Sequence, residues 1–85
     1  MSNQVEEPKK KELLAKFPDE EFIFYDGYDK AIIGVSDNLE VVYSFEGIIS
    51  ILTQSMEYED AIEFFDYNIS PMKLGDKTPI IVHPI

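Results

Sequence analysis

The chain has no cysteine and no arginine, one histidine, four glycines, and only seven lysines to set against seventeen carboxylates. Each shortage removes a class of function. Without cysteine there is no disulfide to brace a small core, no thiolate for zinc and no thiol nucleophile, which suits a reducing cytoplasm. Without arginine the usual bidentate clamp for phosphate and carboxylate is missing. The lone histidine, His83, has no nucleophile or fellow ligand near it in sequence, so it reads as a partly exposed strand residue. The glycines lack the spacing that cradles a phosphate, and no serine stands in a nucleophile elbow. No apolar run approaches the roughly 18 residues of a membrane span, and Met1 to Glu7 is too polar for a secretory leader. Catalytic residues, metal and cofactor are therefore expected to be absent, and the chain is read as a non-enzyme.

What is present is enough for a core. The 85 residues are 45% hydrophobic and include six phenylalanines and five tyrosines. That length makes one domain, one that hides only about 60–65% of its unfolded surface. The net charge is −10, and it is unevenly spread. Lys9, Lys10, Lys11 and Lys16 cluster near the N-terminus and Lys73 and Lys77 near the C-terminus, while Asp19 to Met72 holds thirteen acids and one base, Lys30. Such a field repels phosphates and anionic membranes, so direct nucleic-acid and membrane binding are disfavoured.

The periodicities predict an α+β two-layer domain in the order α-β-β-β-α-α-β. Residues 1–7 read as a flexible tail and residues 8–85 as the domain, with the helix over 8–17 able to lie peripheral to the body. Pro8 opens that helix, Leu13, Leu14 and Phe17 form its apolar stripe, and Pro18 stops it. Glu21 to Asp26, Ala31 to Val35 and Leu39 to Tyr43 read as three strands of an antiparallel meander, turned at Asp26-Gly27 and Asp37-Asn38. Ser44 caps a helix whose core face is Phe45, Ile48, Ile49 and Leu52. Ser55 is expected to cap the next, with Tyr58, Ala61, Ile62, Phe65 and Ile69 facing inward. Pro79 to His83 is read as an edge strand, through which a homodimer could form.

Three features compete for a functional role. Asp26 and Asp29, three residues apart in Asp26-Gly27-Tyr28-Asp29, could bind a divalent cation or share acid and base duties, but a plain turn explains them better. Phe45, Tyr58, Phe64 and Phe65 could stack a ligand, yet helical spacing favours core. Tyr25, Tyr28, Tyr43 and Tyr67 are the better interface candidates, because tyrosine joins large area to a polar tip. The third feature is acidic. Glu57, Glu59, Asp60, Glu63 and Asp66 share the last helix, where Glu59 and Glu63 form a like-charge i,i+4 pair costing a few tenths of a kcal/mol. A helix chosen only for stability would place lysine at 63. High charge also serves solubility.

Four stretches carry a resemblance: Asp26-Gly27-Tyr28-Asp29-Lys30-Ala31-Ile32-Ile33-Gly34, Val41-Val42-Tyr43, Tyr58 through Ile69, and Thr78-Pro79-Ile80. In these the chain resembles a group of small uncharacterised proteins of phages and bacteria. The resemblance implies a shared body to which the lysine-rich helix is an attachment, and a phage-encoded accessory protein in the host cytoplasm that restrains a host or defence protein by binding it. It implies no catalytic residue. The expected function is therefore an acidic protein-binding module for a basic surface. The site would comprise Glu57, Glu59, Asp60, Glu63, Asp66, Tyr67 and Tyr28. A DNA mimic and a small metal-dependent enzyme built on Asp26 and Asp29 are the alternatives.

Overall fold

The computed structural model describes residues 8–85, and the tail read over 1–7 lies outside the described residues. Helix α1 runs Pro8–Lys16. A 3₁₀ turn, Asp29–Ala31, leads into β1, Ile32–Val35, and then β2, Val41–Ser44. Helices α2, Phe45–Leu52, and α3, Tyr58–Phe64, follow, and α3 continues through a π-helical turn over Phe65–Ile69. Strand β3, Ile80–Val82, is last. The result is a small α+β domain with a three-stranded mixed sheet, in the order α-β-β-α-α-β.

The sheet departs from an antiparallel meander in two ways. Its order is β1-β2-β3, with β1 antiparallel to β2 but β3 parallel to β2. The parallel pairing follows from connectivity. Both helices lie between β2 and β3, a crossover long enough to return the chain in the same direction. The first expected strand is also missing. Residues 21–25 join no ladder and are held instead by side chains: Phe22 sits edge-on to Phe17 and Phe24 (centroids 6.1 Å in each case), and Tyr25 N–H donates to the Tyr43 hydroxyl at 2.8 Å. Aromatic and β-branched alternation marks a pleated, half-buried segment, and such a segment need not donate to a sheet.

The β1–β2 hairpin turns at Asp37 and Asn38 as the residue types predict. Leu39 N–H donates to Ser36 O and Ser36 N–H to Glu40 O, both at 2.9 Å. Leu39 belongs to this turn and not to β2, and its φ of 66° lies in the left-handed region. The Ser36 hydroxyl locks the turn, donating to Glu40 Oε1 at 2.7 Å and accepting from Glu40 N–H at 3.0 Å. One extra residue on β1 between the Ile32–Tyr43 and Gly34–Val42 pairs makes a bulge and turns Ile33 to solvent.

The core lies between the sheet and the helices. Tyr43, Ile32, Ile48, Ile69 and Val41 are completely buried. Ser44 caps α2 as expected, its hydroxyl accepting from Gly47 N–H at 3.0 Å, and Ile48, Ile49 and Leu52 point inward. Gly47 permits a close approach: a methyl group there would lie 2.9 Å from Ala31 Cβ. Helix α1 adds Leu13 to the core and leaves Leu14 exposed. Lys10 Nζ joins it to the 3₁₀ turn through Asp29 Oδ2 at 3.4 Å and lies 4.5 Å from the Phe24 ring centre.

Candidate functional site

Helix α3 starts two residues later than a cap at Ser55 would place it. The Ser55 hydroxyl donates backwards to Leu52 O at 3.4 Å, and Glu57 is the N-cap, extended and without a side-chain cap bond. Glu59 and Asp60 occupy the first turn, where the helix dipole favours anions. Ala61, Phe65 and Ile69 are buried and hold the helix to the core. Everything acidic points away. Glu57, Glu59, Asp60, Glu63 and Asp66 are all exposed, and no lysine lies between Glu57 and Ile69 to offset them.

The same helix also exposes aromatic surface. Tyr67 is 78% exposed, Tyr58 62% and Phe64 37%. Tyr58 and Phe64 thus depart from the core role their spacing suggests, whereas Phe65 keeps it. The π turn contributes to this display. Ser70 N–H bonds to Phe65 O at 2.9 Å, five residues back, so Phe65 and Ile69 both stay inside while Asp66, Tyr67 and Asn68 all bulge outward. Such single π turns are frequent at functional sites. Beside them an open hollow of about 430 Å³ is lined by Tyr58, Glu59, Asp60, Ile62 and Glu63.

The other candidates lie elsewhere. Tyr25 and Tyr43 are buried, with rings 4.9 Å apart, and so form part of the core and no interface. Burial pushes the Tyr25 phenol up, and that of Tyr43 up to about 12; for Tyr43 the Asp29 charge adds to burial, and the hydrogen bond from Tyr25 N–H works the other way. Tyr28 is half-buried against the core, its phenol likewise raised by burial, and it belongs to the turn beside Asp29 rather than to α3. Asp26 stands exposed in the Tyr25–Tyr28 turn, where Gly27 takes a φ of 95°. Asp29 is engaged by Lys10 through one oxygen, while its other, Oδ1, is buried without a hydrogen-bond partner. Among the described residues no three His, Asp or Glu side chains converge as metal ligands. No helix among them is long and apolar enough to cross a membrane.

His83 is placed by a contact that sequence spacing could not signal. Exposed just beyond β3, its ring stacks on Phe45 at 4.3 Å and 26°, and Phe45 in turn stands edge-on to Phe65 at 4.9 Å. That stack exists only because β3 returns parallel to β2, beside the start of α2. No protein-family model, no curated protein and no solved structure matches the chain.

Proposed function

We propose that the protein is a binding module, without catalytic activity, that docks the outer face of α3 and its π turn on a basic protein surface. The observation that carries this reading is the joint exposure of Glu59, Glu63 and Asp66 with Tyr67 on one helical segment. Glu59 is helped by the helix dipole, but Glu63, Asp66 and the exposed ring do not serve folding. Uncompensated carboxylates at i,i+4 repel each other, and an exposed ring forgoes about 1.5–3 kcal/mol of burial. At an interface both become useful. The carboxylates steer association and select a cationic partner, and the rings anchor it. On the resemblance described above, the setting is cytoplasmic, with a phage-encoded accessory protein restraining a host protein.

A protein surface fits better than a nucleic-acid channel. The segment from Tyr58 to Ile69 spans about 18 Å at the helical rise, over which a duplex presents about ten charges. The segment and its cap carry five carboxylates: Glu57, Glu59, Asp60, Glu63 and Asp66. The test is a variant with Glu59→Lys, Glu63→Lys and Asp66→Lys, used as bait beside the wild type in quantitative affinity capture from host lysate. Proteins retained by the wild type should be lost, with the thermal midpoint within a few degrees. Undiminished capture by a folded variant rules α3 out.

A further inference from the structure

A second groove, of about 620 Å³, lies between the outer side of α2, the start of α3 and the chain leaving β3. Phe45, His83 and Tyr58 give it aromatic walls and Glu46 a carboxylate, with the buried Ile49 beneath its floor. No lysine lines it. Tyr58 also borders the hollow that carries Glu59, Asp60 and Glu63. The two therefore meet at one exposed ring, and a segment crossing Tyr58 would remain in acidic surroundings on both sides.

That combination is selective. A long aliphatic stem ending in a cation can lay its methylenes along the ring edges and its charge against the exposed Tyr58 face and the Glu46 carboxylate. An anionic segment would meet Glu46, Glu59, Asp60 and Glu63, all without a lining counter-ion. We infer that this groove receives a lysine- or arginine-bearing segment of the protein partner, extending the α3 contact across Tyr58 onto α2. The inference rests on the binding reading above and specifies where the partner's basic side chain lodges.

Because His83 is the only histidine, its imidazole C–H resonances give a single-site probe in the groove wall. Hexa-arginine titrated into the full chain, and followed by proton NMR and by anisotropy of a labelled copy, should shift those resonances saturably. Hexa-glutamate and matched sodium chloride should not. Tyr58→Ser should weaken binding about 3- to 30-fold, the range expected for one lost cation–π contact, and Tyr58→Phe should restore it. Glu46→Gln should weaken it in the same direction. Circular dichroism checks that α3 survives in each variant.

If hexa-arginine binds but leaves His83 and the Tyr58→Ser and Glu46→Gln affinities unmoved, the groove is excluded and α3 docking stands. If His83 shifts while reversal of Glu59, Glu63 and Asp66 changes nothing, the groove stands and the α3 reading falls. No binding of hexa-arginine at low salt overturns the cationic occupant. A concentration-dependent dimer in light scattering, abolished by replacing Lys9, Lys10 and Lys11 with glutamine, would show that a second copy's α1 fills the groove, overturning the separate partner.

Discussion

Replacing Tyr43 by phenylalanine removes one oxygen from the middle of the domain, and the structure sets what that should cost. Tyr43 is completely buried on the central strand, and its hydroxyl accepts the Tyr25 N–H at 2.8 Å. Tyr25 lies in the segment that has no sheet partner, so this side chain stands in for a ladder bond. The phenylalanine ring would fill almost the same space, leaving the 4.9 Å packing on Tyr25 nearly intact. The loss is then mainly electrostatic. A buried N–H deprived of its acceptor costs about 1–3 kcal/mol. In a domain of this length each kcal/mol moves the thermal midpoint by about 4–8 °C, so Tyr43→Phe should lower it by roughly 5–20 °C at pH 7. Scanning calorimetry measures this directly, and amide exchange at Tyr25 should accelerate. A midpoint within about 2 °C of wild type, with Tyr25 still protected, would refute the reasoning, because the N–H would then have another acceptor.

The same phenol makes stability depend on alkaline pH. Its folded pKa is raised from the ordinary 10 to about 12, chiefly by burial, so the unfolded chain ionises first. Stability should hold below pH 10 and fall as pH climbs towards 12, less steeply in Tyr43→Phe; equal slopes in denaturant titrations would contradict this. Gly47→Ala should destabilise despite alanine's helix propensity advantage of about 1 kcal/mol, because the added methyl meets Ala31 at 2.9 Å and overpacking costs about 1–3 kcal/mol. An alanine variant that melts higher than wild type would show that α2 can move off the 3₁₀ turn. At Leu39, with φ of 66°, asparagine should be neutral or stabilising by up to about 1 kcal/mol and valine clearly destabilising. If the two melt alike, the left-handed turn is not enforced.

Local features were legible in the residues, and features set by distant partners were not. Pro8 and Pro18 bracket α1, Ser44 caps α2, and Asp37-Asn38 turns the hairpin, because each acts through bonds or sterics within a few residues. The inward set Ile48, Ile49 and Leu52 followed from a 3.6-residue period. Parallel β3 could not be read this way, since pairing Val42 with Ile80 depends on how two helices pack between them. Phe22 to Tyr25 carries the pattern of a strand and its pleat, but a ladder partner is not encoded in the strand itself. The exposure of Tyr58 and Phe64 was hidden for a related reason: helical spacing says which residues share a face, and packing decides how much of that face is covered. For the candidate site, the five acids and Tyr67 were visible as a stripe, whereas the His83–Phe45 stack required the finished sheet.

The parallel placement of β3 also orders events in time. The β1–β2 hairpin closes across three residues and can form within microseconds, while β3 must close a loop from residue 44 to residue 80 after both helices have settled. Ile80 to Val82 should therefore dock late and open early, and the His83 wall comes and goes with it. Any ligand held against that wall would stabilise the docked strand by mass action. Occupancy at the edge of the molecule would be recorded as slowed amide exchange in its last strand.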